Sequence, residues 1–393
     1  MYKTIDITWL MHKLSCMKKI VIVGAGRQGE KIARRLSHKA VKLLYFFDNN
    51  PILNGKSMYY IPIVKPRNLM DSDVFYIIAT WEQYRSELCN QLLSLGIDES
   101  RIVVLDQYQD AFKYNSTLRP DEYKDAISDH FYMVRGRELN WENPTTYNEW
   151  INWEKINDCT PLKTRLADKY LVKDWVKEKI GEEYVAKLYG VWDRPEDIDF
   201  ESLPEQFVLK VNHSSDCVIV VKNKSDLDRE EAVNKLAKWL DYDLSLLVLE
   251  RHYANIPRKV ICEEYLPGVA ESSYDYKVYC FHGQAEYIEC ISGCNTPQQK
   301  ARFFSTSWES QSFKFAYPLD EDIAPRPNNL EKMLLFSNKL SEGFSHVRVD
   351  WYDLNDGRLV FGEMTFSSWG GIYSFTPEEM DEEWGQLIRN GGR

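Results

Sequence analysis

The sequence predicts two domains of different build: an α/β domain near the N-terminus, then a larger domain in which helices alternate with antiparallel hairpins. Three observations predict this. Lys19-Ile-Val-Ile-Val-Gly-Ala-Gly-Arg-Gln-Gly-Glu30 reads as a strand, a glycine-rich turn and a helix start. Near the other end, Asp356-Gly357 is a strong hairpin signal between two alternating segments. The 393 residues are too many for one average domain and fit two or three. With 44% hydrophobic and 28% charged residues, the composition is that of a soluble globular protein. A formal charge of −11 argues against a nucleic-acid-coating protein. It leaves room for anionic substrates, because local basic patches can oppose the net charge.

Eight cysteines are scattered without a Cys-x-x-Cys or a paired Cys/His spacing. Cys262 and Cys280 fall in strand-like runs, where small buried hydrophobes are expected rather than ligands or disulfides. A reducing cytoplasm is the compartment this implies. No apolar run approaches the roughly 18 residues of a membrane span. Residues 1–16 hold a short apolar patch, Ile7 to Met11, too weak for a signal peptide. They are expected to be an upstream extension or a short docking helix, since Met17-Lys-Lys resembles a natural start directly before a strand.

The α/β domain is expected over residues 17–107. Gly24, Gly26 and Gly29 fit the Gly-x-Gly-x-x-Gly fingerprint, and Asp48 ends the next apolar strand, Val41 to Phe47. A strand before, a helix after and an acid at the end of the second strand are the context this motif needs. Apolar runs Val74 to Ala79 and Ile102 to Leu105 flank a helical stretch from Trp81 to Leu95, completing a Rossmann-like unit. The glycines allow tight turning and close packing without a ligand; with one, a pyrophosphate would sit at the helix N-terminus. NAD(H) chemistry is disfavoured, because no partner His, Tyr-x-x-x-Lys or Cys follows. Asp48-Asn-Asn-Pro-Ile-Leu-Asn-Gly55, then Ile61-Pro-Ile-Val-Lys65, resembles the Rossmann-like domains at the front of bacterial sugar-modifying enzymes. That resemblance implies a nucleotide-sugar as the occupant.

Residues 108–120 are polar, lack periodicity and are expected to be a linker, with the second domain over residues 121–393. Glu122 to Lys155 reads as a helical segment rich in Trp and Tyr, aromatics suited to packing. Lys163 to Lys179 reads as one amphipathic helix, with Leu166, Tyr170, Leu171 and Trp175 at helical spacing. Phe207 to Lys222 is two β-rich runs around a polar turn, Asn212 to Asp216. Lys210 stands inside the first, otherwise apolar run. An unpaired buried Lys is costly, so an anionic partner is expected, either a carboxylate or a phosphate. Lys259 to Pro267 is a strand ending in two acids. Tyr274 to Glu289 is a hairpin turning at His282-Gly283, with Lys277 placed as Lys210 is. Leu330 to Gly343 reads as a helix.

The closing hairpin runs from His346 to Thr365. Val347, Val349 and Trp351 alternate with Arg348, Asp350 and Tyr352; after the turn, Leu359, Phe361, Glu363 and Thr365 are expected to share one face. Two registers are open. With Asp356-Gly357 as a two-residue loop, paired positions sum to 713, Asp350 faces Glu363 and Arg348 faces Thr365. Like charges opposite one another destabilise a sheet, so the two carboxylates need a cation or a shared proton. Mg²⁺, which takes one or two carboxylates plus substrate phosphates, suits that pair. With Asn355-Asp356 as the loop, the sum is 711 and Arg348 faces Glu363 as an ordinary ion pair.

The order of these segments is specific: Ala167-Asp-Lys169, Val208-Leu-Lys210, Glu263-Glu-Tyr-Leu266, Asp275-Tyr-Lys277, Arg348-Val-Asp350 and Glu363-Met-Thr365. It resembles the order in ATP-grasp enzymes, whose fold is α+β with two lobes. Leu166-Ala-Asp-Lys-Tyr170, Leu203-Pro-Glu-Gln-Phe-Val-Leu-Lys210 and Asp275-Tyr-Lys-Val-Tyr-Cys-Phe281 are similar to the TupA-like branch. That branch is associated with teichuronopeptide and other cell-surface polysaccharide synthesis. The resemblance covers Pro120 to the C-terminus, about two thirds of the chain.

The resemblance implies roles. Lys169 and Lys210 would contact ATP phosphates. Glu263, Glu264 and Leu266 would form the hinge that holds adenine, and Lys277 would lie along the phosphate path. Asp350 and Glu363 would bind Mg²⁺, with Thr365 where the family usually carries Asn. Arg348 would stabilise an acyl phosphate and a tetrahedral intermediate. The phosphate-covering loop usually contains glycine; here it is His213-Ser-Ser-Asp216, whose backbone approaches phosphate less freely. Asp216 would add repulsion there, and Ser214 and Ser215 would cap phosphate instead. Arg302 and His213 are further candidates near the acceptor.

The expected protein is a bacterial cytoplasmic ligase that uses ATP and Mg²⁺ to join a carboxylate to an amine, on small-molecule or sugar substrates of surface polysaccharide synthesis. Its first domain would hold a nucleotide-sugar or serve assembly; no nucleic acid and no membrane span are expected, and a homo-oligomer is compatible. Two rivals stay open. A glycosyltransferase-type enzyme using a nucleotide-sugar predicts no ATP requirement and no importance for Lys210. A non-catalytic nucleotide-binding scaffold of polysaccharide assembly predicts ATP binding without hydrolysis.

Overall fold

Runs of Val, Ile and Phe become the buried strands of the first unit, as β-branched and aromatic residues suit a sheet covered on both faces. The structure is a computed structural model that describes residues 4–5, 19–37, 41–80, 82–105, 115–215, 217–247, 249–267, 274–293, 299–322 and 324–390. The chain divides into two units, Met1–Glu138 and Leu139–Arg393.

The first unit contains β1 (Thr4–Ile5), β2 (Lys19–Val23), α1 (Arg27–Ser37), β3 (Lys42–Phe47), β4 (Ser57–Met58), β5 (Ile61–Val64), β6 (Val74–Ile78), α2 (Glu82–Ser94), β7 (Ile102–Leu105) and α3 (Tyr123–Arg135). Its sheet has the order β1-β7-β6-β2-β3-β5-β4. Only β4 runs antiparallel to its neighbour, so the sheet is mixed. Val21, Val23, Phe47, Tyr76, Ile78 and Leu92 form its core. Of the expected N-terminal extension, Thr4–Ile5 forms an edge strand on Val104 and Leu105. The rest of residues 1–18, Trp81 and residues 106–114, which include the first seven of the expected linker, lie outside the described residues.

The single helical segment expected over 122–155 is two helices. Gly136, left-handed at φ 72°, ends α3. α3 packs on α1 of the first unit, where Arg34 Nε bonds Asp129 at 2.7 Å and its guanidinium lies 4.5 Å from the Tyr132 ring centroid.

The second unit opens with α4 (Tyr147–Asn157), α5 (Pro161–Ala167) and α6 (Val172–Ile180). The single helix expected over Lys163 to Lys179 is broken between α5 and α6. Asp168 leaves the helical conformation (ψ 114°), and its Oδ1 accepts the N–H groups of Tyr170 (2.8 Å) and Leu171 (3.3 Å). A side chain that offers an acceptor to the following N–H groups competes with helix continuation. β8 (Leu188–Trp192), β9 (Phe207–Val211), β10 (Val218–Val221), α7 (Arg229–Asp241) and β11 (Val260–Glu264) follow, and the antiparallel sheet β10-β9-β11-β8 packs against α7 through Leu236.

The remaining elements are β12 (Asp275–Phe281), β13 (Gln284–Ser292), β14 (Lys300–Ser305), β15 (Lys314–Phe315), α8 (Leu330–Ser341), β16 (His346–Asp353), β17 (Leu359–Thr365), β18 (Phe375–Thr376) and α9 (Glu379–Asn390). They build the antiparallel sheet β14-β13-β12-β16-β17. One face buries Val278, Cys280, Ile288, Val347, Val349 and Trp351 against α8. The opposite face is covered in part by α4 and α9, through an aromatic cluster around Tyr147 and Trp384.

The closing hairpin keeps the 713 register where Arg348 faces Thr365 and departs from both expected registers toward its loop. Leu354 N–H bonds Arg358 O at 2.8 Å, so the loop is the three residues Asn355 to Gly357, with Gly357 left-handed at φ 87°. Asp353 pairs with Leu359 and Trp351 with Phe361, a sum of 712; Val349 pairs with Met364 and Arg348 with Thr365, a sum of 713. Between them Gly362 and Glu363 together oppose Asp350, which is a β-bulge. A one-residue slip turns side chains to the other face. Leu359 and Phe361 therefore join the core, while Glu363 and Thr365 point to the opposite side, contrary to the expected shared face. Gly362 leaves room there: a Cβ would lie 3.1 Å from Asp350 O, so the neighbouring backbone would have to give by a few tenths of an ångström.

Candidate active site

Strand alternation puts Asp275 and Lys277 of β12, Glu289 of β13, and Arg348 and Asp350 of β16 on the sheet face opposite α8. The bulge adds Glu363 and Thr365. Lys277 pairs across the sheet with Asp350 on one side and Glu289 on the other. Its Nζ lies 2.6 Å from Asp350 Oδ2 and 2.7 Å from Asp275 Oδ2. Arg348 clasps Asp350 with both ends, Nε to Oδ1 at 2.7 Å and Nη2 to Oδ2 at 2.8 Å. The same Nη2 reaches Glu363 Oε1 and Thr365 Oγ1, each at 3.0 Å. Lys169 closes the cluster by donating to Glu363 Oε2.

The helix break at Asp168 makes that last contact possible. Lys169 N–H, released from the helix, bonds Asn212 O at 3.0 Å. Fully buried Asn212 then fixes three segments: its Nδ2 donates to Asp168 Oδ1 and Pro257 O (both 2.9 Å), and its Oδ1 accepts Lys259 N–H at 2.7 Å. Lys210 has the anionic partner its buried strand demanded. Glu263, 5% exposed, lies 2.5 Å from Lys210 Nζ and 2.9 Å from Lys173 Nζ. Glu264 turns the other way to Arg358 at 2.7 Å, and Leu266 packs with Ala186, Leu354 and Val360.

The charges hold one another in their ionised forms. Burial alone would raise the Glu363 carboxyl, but Lys169, Arg348 and Lys277 outweigh it and keep its pKa well below the usual range. Burial would likewise raise Glu263, yet Lys210 and Lys173 pull it below its ordinary value. Asp275 goes the other way: burial raises it despite Lys277. Glu289 is fully buried, and burial pushes it up to about 7 against the pull of Arg348 and Lys277. Tyr279 donates to its Oε2 at 2.8 Å.

Thus Lys169, Lys277, Arg348, Asp350, Glu363 and Thr365 meet in one cluster, and Lys210 and Glu263 form a second ion-paired group. Ser214 is buried, its hydroxyl 3.4 Å from Cys217 Sγ, and Ser215 is exposed. Both belong to the turn that begins at Asn212; Asp216 lies outside the described residues. His213 is directed to Tyr242 O (2.9 Å) at the end of α7. Arg302 is not brought to the cluster. It pairs with Cys290 in the row that includes Tyr276 and Trp351, on the α8 side, and bonds Asp320 O (2.6 Å) and Ser310 Oγ (2.7 Å). Lys173, Asp168, Asn212, Asp275 and Glu289 escaped the sequence reading. Asp275 stood two residues before Lys277, the spacing that shares a strand face.

In the first unit, Gly24 and Gly29 are packing requirements. A Cβ on Gly24 would lie 2.8 Å from Ala79 O, and one on Gly29 would lie 1.9 Å from Gly24 O. Gly26 has open space around it. Asp48 closes on the turn: Ala25 N–H donates to its Oδ2 at 2.7 Å and Asn50 N–H to its Oδ1 at 2.8 Å.

A family model described as TupA-like ATPgrasp matches residues 149–389, and one described as C2185-like, N-terminal, matches residues 16–103. No curated protein matches the chain. Solved structures that resemble it distantly include the ATP-grasp ligase PsnB complexed with minimal precursor (12% identity, TM-score 0.31, 89% of this chain and 91% of that one). Others are an L-amino acid ligase from Bacillus licheniformis (12%, 0.34, 90% and 69%) and an N5-carboxyaminoimidazole synthetase from Staphylococcus aureus (12%, 0.32, 88% and 70%). The family match spans well over half of the chain, and this protein belongs to the TupA-like ATP-grasp family, ADP-forming ligases by class.

Proposed function

We propose that the second unit is an ATP- and Mg²⁺-dependent carboxylate–amine ligase, working in the bacterial cytoplasm on a precursor of a surface polysaccharide. The observation that supports it is the bulged pair Asp350 and Glu363, turned to one face and bridged by Arg348, with Lys277 and Lys169 on their outer oxygens. Among the described residues no three His, Cys, Asp or Glu side chains form a metal cage by themselves. Two carboxylates and a hydroxyl do fit Mg²⁺, which completes its shell with phosphate oxygens and water. Bound there, it would offset the charge of the phosphates.

Lys169, Lys210 and Lys277 would bind the triphosphate by exchanging a carboxylate partner for a phosphate one. Each exchange trades one anion for another, so no lysine is stranded. Glu263 aims Lys210 until the phosphate arrives and keeps Lys173 afterwards. Adenine would lie at the hinge from Glu263 to Leu266, against Ala186, Leu354 and Val360. An oxygen of the substrate carboxylate attacks the γ-phosphorus and ADP leaves. The amine nitrogen then attacks the carbonyl carbon of the acyl phosphate; the C–N bond forms, the C–O bond to phosphate breaks, and the amine gives up a proton. Arg348, fixed by four acceptor oxygens on three residues, would stand against the charge that develops on the transferred oxygens. In this reading the first unit is Rossmann-like and holds a nucleotide-sugar over Gly26, where a ligand has room, with Asp48 ordering the turn.

Calorimetric titration with Mg·AMP-PNP tests the nucleotide part. The wild type is expected to bind, and Lys210→Met to bind at least tenfold more weakly. A wild type that takes up no nucleotide would sink the proposal.

A further inference from the structure

The acidic groups around the site are of two kinds. Glu263, Asp275, Asp350 and Glu363 each have a lysine or arginine in direct ion-pair contact. Glu289, held by the Tyr279 hydroxyl, has no ion-pair partner among the described residues, and neither has Glu250, which is only 9% exposed. Its Oε1 accepts the Ser367 hydroxyl, which lies 3.5 Å from His252 Nε2. Ser367 is two residues past Thr365, so this bond fastens Glu250 to the exit of β17. Of the charges in the cluster, Arg348 lowers the Glu250 carboxyl and Glu363 raises it. Glu250 is thereby tied, through Ser367, to the end of the strand that carries Glu363 and Thr365.

Its second oxygen, Oε2, receives no hydrogen bond from a described residue. The cation that acts on it from α4, Lys155, spends its Nζ on Asn152 Oδ1 (3.0 Å) and Gly370 O (2.6 Å). Those bonds, with Asn152 Nδ2 to Gly371 O at 2.6 Å, brace a left-handed loop: Trp369, Gly370 and Gly371 have φ of 57°, 59° and 64°. The loop fixes where Ser367, and so Glu250, can stand.

A buried carboxylate without a direct cation is costly. Burial accordingly raises the Glu250 carboxyl, against the pull of Lys155, Ser367 and Arg348. A cation arriving at Oε2 would remove that cost and restore the ionised form. Of the two substrates of an amide-forming reaction, the amine is the cation at neutral pH.

We propose that Glu250 is the amine-binding residue of the site, its Oε2 taking the primary ammonium of the substrate while Ser367 holds the carboxylate through Oε1. The proposal rests on the ligase reading, and its test separates the two. The full chain is titrated calorimetrically, with and without saturating Mg·AMP-PNP, with ethylammonium, L-alaninamide, D-glucosamine and putrescine. Propionamide and N-acetylglucosamine are the uncharged controls. At least one amine is expected to bind where its uncharged counterpart does not, and Glu250→Gln to weaken that binding at least tenfold. Gln still offers an oxygen to Ser367, and the melting temperature checks that the variant is folded. Glu250→Asp, which keeps the charge one methylene back, is expected to retain the preference for the cation, and decides the matter if the Gln variant does not fold. Binding of no amine, or equal amine affinity in wild type and variant, overturns the proposal. Failure of the wild type to bind AMP-PNP would instead strike the ligase reading, while the titration without nucleotide still reports on Glu250.

Discussion

Replacing Glu263 by Gln removes the charge that compensates two buried lysines, Lys173 and Lys210, whose side chains are 8% and 19% exposed. Breaking a buried ion pair from one side costs about 3–5 kcal/mol, because the remaining charge is left uncompensated. Lys210 reaches some solvent, so the lower end applies: roughly 3 kcal/mol. Lys210→Met is the control. It leaves Glu263 with Lys173 and should cost no more than one charged hydrogen bond, about 1.5–3 kcal/mol. Urea unfolding followed by tryptophan fluorescence reads the second unit, since ten of the twelve tryptophans follow Leu139. The pH dependence is a second constraint. The folded Glu263 pKa lies below the unfolded one, so its stabilisation is full above the unfolded value and lost as pH falls through the folded value. The gap between wild type and Glu263→Gln should be constant from pH 6 to 8 and shrink below about pH 4.5. A variant within 1 kcal/mol of wild type at pH 7, or a gap that widens in acid, refutes the reasoning.

Two further predictions follow from the same geometry. Gly362→Ala forces a Cβ to within 3.1 Å of Asp350 O, so it should cost about 1–3 kcal/mol as overpacking and weaken Mn²⁺ binding in the presence of AMP-PNP, read by electron paramagnetic resonance. A substitution without effect on either would mean that the bulge does not set the metal carboxylates. Burial pushes His252 and His346 down to about 3, so the unfolded chain binds more protons between about pH 6.5 and 3 and stability falls as pH drops, by about 1.4 kcal/mol per unit for each. Glu289, raised to about 7, opposes this: its contribution is present in acid and lost as pH rises through about 7. Glu289→Gln should therefore steepen the rise of stability with pH between 5 and 6.5 by about 1 kcal/mol per pH unit; an unchanged slope contradicts it.

The residues that proved central were legible because their chemistry clashed with their surroundings. Lys210 and Lys277 stand in apolar strands, and Asp350 stands in an alternating one; each needed a partner, and each has one. What escaped the sequence depends on local competition or on distant pairing. Helical spacing runs unbroken through Asp168, so nothing in the periodicity announced that its carboxylate would end α5 and release Lys169 toward Asn212. Gly362, a glycine inside a strand pattern, was the available sign of a bulge. Without it, Glu363 and Thr365 cannot be assigned to a face, and neither two-residue loop is the one that forms. Lys173 reads as one more solvated helix lysine until β11 brings Glu263 to it. Glu250 has no motif, because its role depends on Ser367, 117 residues later.

ADP release from Mg·ATP, with a panel of amino acids and UDP-uronic acids and with wild type beside Glu363→Gln, tests the central claim most directly. Release that depends on an added acceptor and vanishes in Glu363→Gln is the predicted result. Acceptor-dependent release that persists undiminished in Glu363→Gln would contradict the assignment of the bulged carboxylate pair as the centre of the reaction.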